Sequence, residues 1–348
     1  MNLFETCTLI ATLEQAPPAR TFLLDTFFNE VVTFQSQYVN IDIEKGKRRL
    51  AEFVRPTSQG KMVEKRGWTA KSIEAPYIKE KANISSVDIL TRQIGQTIYM
   101  GGKSPAQRAE EELAKMLDYL RNRIVRKEEW MAASLLQTGK IVLDGEYSGV
   151  EIDFEMDGTH LFTPSLEWDE TGSDPIRDLR DWCTTVSRDS GINPTVVIMG
   201  SDAVNAFINH DKVQKLLNLL KLNMGEIKPA DIPSGASFYG TLSVGGATVD
   251  IYSYNEWYLN SSDVLVPMVD PKKVIIGSPN ARTSRSYGAI QDIEYDGSSP
   301  VQTSNYPVSY FAKSWVEHDP AARILLVQSA PVVCLHQVDA FGCGTVLT

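Results

Sequence analysis

The chain has 348 residues, 43% of them hydrophobic and including 12 Phe, 13 Tyr and 6 Trp, enough to bury a sizeable core divided between two domains. Its 34 Lys and Arg face 44 Asp and Glu, and a net charge of -10 removes any general electrostatic reason to coat nucleic acid. The four scattered cysteines, Cys7, Cys183, Cys334 and Cys343, exclude a disulfide-rich scaffold, and no apolar run approaches the roughly 18 residues of a membrane span.

The opening residues, MNLFETCTLIATLEQAPPAR, carry an acidic residue where a signal peptide has basic ones, so a reduced, cytosolic setting is expected. Residues 1–43 read as an arm with apolar anchors. Pro17 and Pro18 interrupt any early helix. Phe22, Leu23, Leu24, Phe27, Phe28, Val31, Val32 and Phe34 then form a cluster too aromatic to stand in water, which docks either on its own chain or on a neighbour.

Residues 44–81 differ in kind, holding 11 Lys and Arg against five Glu, a local charge of +6. Gly46, Gly60 and Gly67 supply turns, and Leu50, Ala51, Phe53 and Val54 suggest a strand running into Pro56. The segment reads as a long hairpin or protruding arm. Lys45, Lys47, Arg48, Arg49, Arg55, Lys61, Lys65 and Arg66 are its candidate intersubunit contacts. A basic surface loop and a nucleic-acid patch are the other uses of such a run.

A long helix is predicted from Pro105 to about Thr138. Ser104 can cap it, Pro105 suits the first helical position, and Gln107 completes a capping box. Leu113, Met116, Leu117, Leu120, Ile124, Met131 and Leu135 fall on one face. Arg108, Glu111, Glu112, Arg121, Arg126 and Glu129 are expected largely on the remaining surface, and Gly139 ends the helix. At 1.5 Å per residue the element spans about 50 Å, which reads as a rigid spine, with a coiled coil as the competing use.

Twelve carboxylates follow between Asp144 and Asp181, opposed by Arg177 and Arg180. Val150, Ile152 and Phe154 alternate with Glu151 and Asp153, which predicts a strand with one wet face. Glu151, Asp153, Glu155, Asp157, Glu167, Asp169 and Glu170 are the candidate acidic counterpart of the basic arm on an adjacent subunit, a complementarity that sets register more than affinity. From residue 191 the pattern is α/β. Strands are expected at 195–199, 248–254 and 273–277, helices from Ser201 and around Val213, and two apolar strands in 323–335 broken at Pro331.

The chemistry-bearing motifs are missing. No GxGxxG opens a helix and no GxxxxGK[ST] is present. Gly235-Ala236-Ser237-Phe238-Tyr239-Gly240 misses a nucleophile elbow by one residue. His160, His210, His318 and His336 have no partner at metal-ligand spacing, and Cys334 with Cys343 lacks a CxxC pair. Asp169 to Asp174 lacks the spacing of a calcium loop. No catalytic, cofactor-binding or metal residue is assigned, and an enzyme is not expected.

Several ordered stretches carry a likeness. Ala281-Arg282-Thr283-Ser284-Arg285-Ser286-Tyr287-Gly288-Ala289-Ile290-Gln291-Asp292 is the most specific, followed by Asp319-Pro320-Ala321-Ala322-Arg323 and Gln328-Ser329-Ala330-Pro331. Thr138-Gly139-Lys140, Asp144-Gly145-Glu146, Val54-Arg55-Pro56, Arg66-Gly67 and Tyr77-Ile78-Lys79 complete the series. Through them the chain resembles the phage major capsid protein E family, the head proteins of phage lambda and its relatives, over nearly its full length. The family-like positions are Arg285, Tyr287, Gly288, Gln291, Asp292, Gln328, Ser329 and Pro331.

The resemblance implies an α+β Hong Kong 97-type capsid fold with an N-terminal arm (1–43), an extended loop (44–81) and a peripheral domain (82–190) built on the spine helix 105–138. An axial domain (191–320) and C-terminal strands shared between the two domains (321–348) complete it. It implies pentamers and hexamers of an icosahedral head enclosing double-stranded DNA, assembled in the bacterial cytoplasm with a separate scaffold and portal and reinforced by a decoration protein. It implies no cofactor, no membrane and no catalytic crosslinking residues. A host-encoded encapsulin-like nanocompartment shell is the alternative on the same fold, and an α/β enzyme is the alternative from another class.

Overall fold

The computed structural model describes residues 9, 10, 13, 21–44, 68–85, 105–219, 231, 232, 235–244, 247–296, 299–318 and 321–348. Helix α1 (Phe22–Phe27) leads into strands β1 (Val31–Thr33) and β2 (Tyr38–Glu44). The apolar cluster docks on its own chain: Phe22, Leu23, Leu24, Phe27 and Phe28 are buried in the main core, whereas Val31 is exposed. Strand β3 (Trp68–Glu74) returns antiparallel to β2, from Tyr38 opposite Glu74 to Glu44 opposite Trp68. The pair borders the segment for which a hairpin or arm is expected. Residues 45–67, and with them all eight arm candidates and the strand expected at 50–54, lie outside the described residues.

Strand β4 (Ile78–Ser85) precedes helix α2 (Pro105–Thr138), which has the predicted extent of 34 residues. Ser104, its expected cap, lies outside the described residues. Along α2, Leu113, Leu117, Leu120 and Ile124 pack against Ile84, Leu325 and Val327. Met131, Ala132, Ala133, Leu135 and Leu136 enter the main core. Gly139 stops the helix at φ 72°, its N–H bonding to the Leu135 carbonyl at 2.8 Å. Two residues depart from expectation. Arg121 and Glu129 are buried at 7% and 2% exposure, because α2 from residue 120 onward is enclosed on more than the one face that the apolar spacing marks.

Strands β5 (Lys140–Val142) and β6 (Glu151–Asp153) form a small hairpin, followed by β7 (Leu161–Phe162). Ile141, Ile152 and Phe154 point inward, while Val150, expected beside them, precedes the strand and is exposed. Helix α3 (Pro175–Ser190) occupies the end of the acidic block, where the sequence reading placed no helix. Strand β8 (Val196–Met199) is buried at all four positions and runs into α4 (Ser201–Asn209) and α5 (Asp211–Leu219). Then come β9 (Asp231–Ile232), β10 (Ala236–Val244), β11 (Ala247–Tyr254), β12 (Trp257–Leu259), β13 (Leu265–Pro267) and β14 (Lys273–Gly277). The chain continues through β15 (Thr283–Tyr287), β16 (Ile290–Asp296), β17 (Ser299–Tyr306) and β18 (Phe311–His318). It closes with β19 (Ala321–Ser329), β20 (Pro331–Leu335) and β21 (Gly342–Thr345).

The largest sheet has the order β7-β21-β14-β8-β11-β10-β9 and mixes parallel with antiparallel neighbours. Strand β8 lies near its middle, which explains its continuous apolar run. Helices α3 and α4 cover this sheet: Leu179, Trp182, Val186 and Phe207 pack with Val197, Met199, Ile251 and Ile276 in a second core. Two three-stranded sheets, β1-β15-β20 and β18-β19-β4, lie beside α2. Pro331 opens β20 opposite Tyr287, so the chain passes at Ala330 from one sheet into the other, the break its proline predicts.

Gly277 shows how closely α1 is seated. A methyl there would lie 2.6 Å from the Phe341 ring and 3.1 Å from the Phe27 ring, which meet edge to face at 5.4 Å. Gly277→Ala is expected to destabilise the subunit by about 1–3 kcal/mol through overpacking. Chemical denaturation reads this directly, and an unshifted midpoint would count against the close seating of α1.

Candidate functional site

Two consecutive glutamates in the buried half of α2 form the polar centre of the molecule. Successive helical residues point about 100° apart, so Glu128 and Glu129 serve different neighbours.

Glu129 faces α1. Its Oε1 accepts from the backbone N–H groups of Phe22 at 3.1 Å and Leu23 at 2.8 Å, and its Oε2 from that of Leu24 at 3.1 Å. The Tyr254 hydroxyl, at the end of β11, donates to Oε1 at 2.9 Å. The first N–H groups of any helix lack intrahelical partners. Thr21 supplies no side-chain cap to α1, and a carboxylate more than a hundred residues away takes that role. Burial pushes the Glu129 carboxyl upward, while the N–H groups of Leu23 and Leu24 and the Tyr254 hydroxyl pull it back. Burial and this carboxylate together push the Tyr254 hydroxyl far up.

Glu128 faces the other way and is 1% exposed. It accepts from the hydroxyls of Tyr287, on β15, and Tyr310, just before β18, both at 3.1 Å. The two tyrosine rings meet at 5.9 Å, and the Arg121 guanidinium lies over the Tyr310 ring at 5.3 Å. Burial raises the Glu128 carboxyl to about 7, against the opposing pull of the two hydroxyls and of Arg285 and Arg121. Arg285 also approaches Asp25 of α1 at 3.9 Å.

The family-like residues gather around this centre. Tyr287 contacts Glu128 directly, and Arg285 lies on the same strand, whose other neighbour is β1 of the arm. The Gly288 N–H bonds to the Ala330 carbonyl at 2.9 Å, and a Cβ there would meet Ala75 at 2.8 Å, so the close approach of the segment after β3 requires glycine. The Gln291 N–H reaches the Tyr77 hydroxyl at 3.3 Å, and Asp292 accepts from Lys313 at 2.6 Å. Gln328 and Ser329 are buried at the end of β19, with the Ser329 hydroxyl on the Ser309 carbonyl at 2.7 Å, and Pro331 begins β20.

The acidic candidates divide into two groups. Lys140 bonds to Glu151 at 2.6 Å and lies 3.0 Å from Asp153, while Lys71 of the hairpin stem reaches Glu155 at 2.7 Å and the Asp153 carbonyl at 2.9 Å. Partial burial pushes Asp153 up, but the Glu155 N–H and Lys140 outweigh it and hold it below the usual range. Asp157 caps a short turn at Thr159. Glu167 accepts from the N–H and hydroxyl of Thr348, and Asp169 and Glu170 are exposed in the adjoining turn. Among the described residues no group of three or more His, Cys, Asp or Glu side chains could hold a metal ion, and Cys183, Cys334 and Cys343 are buried free thiols.

The sequence held a signal for Glu128. The apolar series on α2 leaves no gap longer than four residues except between Ile124 and Met131, and Glu128 fills that gap four residues after one and three before the other. A carboxylate in that register belongs to the buried face. Glu129 left a weaker trace, since its neighbours on the same stripe, Val125, Ala132, Ala133 and Leu136, include small residues that occur equally on a wet face.

The phage major capsid protein E family matches the chain over residues 5–346. The chain belongs to that family. Curated relatives include the major capsid proteins of Enterobacteria phage P21, 26% identical over 98% of both chains, and of Escherichia phage lambda, 24% identical over 98% of both. A prophage capsid protein from Escherichia coli CFT073, solved by crystallography, superposes with a TM-score of 0.64 at 19% identity, covering 98% of each chain. A phage-related protein from Bordetella bronchiseptica RB50 gives 0.51 at 12% identity, over 98% of this chain and 96% of that one. The fold of this major capsid protein resembles the Hong Kong 97-type capsid fold. The subunit is a structural, non-catalytic component of a tailed-phage virion.

Proposed function

We propose that this capsid subunit assembles into pentamers and hexamers of an icosahedral head that encloses double-stranded DNA. Assembly takes place in the host bacterial cytoplasm on a separate scaffold and portal, and a decoration protein reinforces the finished shell. The observation that carries the reading is α2, a 34-residue spine keyed by Glu128 and Glu129 to both the N-terminal segment and the central strand β15. Such a subunit keeps its shape while its edges engage neighbours. In this reading residues 44–81 are the extended loop, 82–190 with α2 the peripheral domain, 191–320 the axial domain, and the C-terminal strands of 321–348 are shared between the two domains. A shell subunit with net charge -10 holds DNA by enclosing it, not by coating it.

Co-expression with the scaffold gene that neighbours it, followed by electron microscopy and sedimentation, tests the reading. Closed shells are expected. A chain that stays monomeric beside its scaffold would sink it, and shells filled with an enzyme in place of DNA would favour the nanocompartment.

The charge proposal narrows. Lys71 and Lys140 take up Glu155, Glu151 and Asp153 within one chain, so the arm of a neighbour meets chiefly exposed Asp169 and Glu170. Each exposed pair contributes only about 0–1 kcal/mol, but a shell repeats it in every subunit. Reversing Arg48 and Arg49 to Glu is expected to cut the yield of shells, whereas a matched reversal of Arg126 and Lys215, on exposed helix faces outside the acidic block, leaves it unchanged. Equal yields from the two variants would defeat the proposal.

A further inference from the structure

The β12–β13 ribbon breaks the rule that a strand's wet face is polar. Its register pairs Trp257 with Pro267, Tyr258 with Val266 and Leu259 with Leu265. Alternate residues point to opposite faces, so Tyr258 and Val266 share one side and the other four residues share the second. The inner side is anchored: the Trp130 indole of α2 donates to the Tyr258 hydroxyl at 3.2 Å. Gln137 of α2 brackets the base of the ribbon, donating to the Met268 carbonyl at 3.2 Å and accepting from the Asp270 N–H at 3.0 Å. The outer side is apolar throughout, yet Trp257, Leu259 and Leu265 are 44%, 61% and 62% exposed. The Trp257 indole N–H is already satisfied by Asn255 at 2.9 Å, so its ring offers the solvent carbon alone.

The ribbon is also built in advance. Asn260 closes its turn, accepting through Oδ1 from the N–H groups of Ser262 at 2.9 Å and Val264 at 3.0 Å, and Asp263 sits in the left-handed region at φ 56°. A two-stranded ribbon is only marginally stable alone. This one holds an oily face outward with little ordering left for a partner to impose.

We infer that the outer face of the β12–β13 ribbon is a contact for a second copy of this chain in the assembled shell. The inference rests on the shell-building function proposed above. Charge excludes nucleic acid as the occupant, because residues 255–267 contain Glu256 and Asp263 and no Lys or Arg. Area points to a copy. Four side chains cover far less than the roughly 800 Å² per partner that a stable free-standing complex buries, so the face works only against a neighbour that other contacts also hold. A shell supplies that neighbour to every subunit.

The test uses the full chain co-expressed with its scaffold, in two forms. One carries a photocrosslinking amino acid in place of Leu259, and the other carries Leu259→Ser with Leu265→Ser. The crosslinker is expected to join one copy to another. The double variant is expected to keep its thermal midpoint as a soluble subunit and lose at least about tenfold in shell yield, the scale of removing apolar anchors from an interface. Wild-type yield from the double variant overturns the contact, as do crosslinks confined to the same chain, the scaffold or a decoration protein. Wild-type chains that never form shells overturn the shell-building function itself, an outcome distinct from intact wild-type shells beside an unaffected variant.

Discussion

Replacing Glu129 with alanine is expected to unseat the N-terminal segment and to destabilise the subunit by about 1–3 kcal/mol for each buried donor it leaves without a partner. The change strands the N–H groups of Phe22, Leu23 and Leu24 and the Tyr254 hydroxyl, which all end on this one carboxylate. Denaturant unfolding gives the magnitude. Hydrogen exchange gives the place, because the amides of 22–28 should lose protection before those of β8 or β14. Tyr254→Phe is the graded control: it removes one of four donors and should cost only about 0.5–1.5 kcal/mol. If Glu129→Ala behaved like Tyr254→Phe, or left the exchange of α1 unchanged, the carboxylate would not be what holds the segment down.

Glu128 is expected to make the subunit less stable as the medium becomes alkaline. Its carboxyl titrates at about 7 when folded and at its ordinary 4.5 when unfolded, the rise coming from burial. Between those values the folded chain keeps a proton that the unfolded chain releases. The group's favourable contribution is therefore complete below pH 4.5, and it is lost as pH rises through 7. By pH 8 the loss amounts to about 3 kcal/mol. Tyr287 and Tyr310 donate to whichever oxygens are unprotonated, and Arg121 and Arg285 limit the rise without cancelling it. Glu128→Gln keeps the volume and removes the titration. The variant should be more stable than the parent at pH 8 by up to about 3 kcal/mol, with the gap closing toward pH 5. Parallel stability curves for parent and variant across this range would show that burial does not raise the carboxyl as described.

The elements that the sequence announced are those whose signals are local. Helix α2 was legible because Pro105, an apolar series in steps of three and four, and Gly139 agree on one object. Strands β8 and β14 were legible as short apolar runs ending at Gly200 and Gly277. Helix α3 was missed although its signals are equally local: Asp174 caps it, Pro175 opens it, Leu179, Trp182, Cys183 and Val186 mark its buried face, and Gly191 closes it at φ 85°. The dense carboxylates around it break up the apolar period that marks its buried face. Sheet order was out of reach for a different reason. Strand β21, from the C-terminal end, inserts between β7 and β14, a pairing over more than 180 residues that no local pattern encodes. The polar centre was half legible. The gap at Glu128 could be read from spacing, whereas the partners of Glu129 are backbone groups of α1, which carry no sequence signature.

The angle between those two glutamates has a mechanical consequence. With one side chain tied to α1 and β11 and the next tied to β15 and Tyr310, α2 cannot roll about its long axis without breaking both sets of bonds at once. It behaves as a keyed shaft: rolling is opposed at one point by two independent sets of bonds, and α1 and the central strand β15 are thereby held in fixed register across α2.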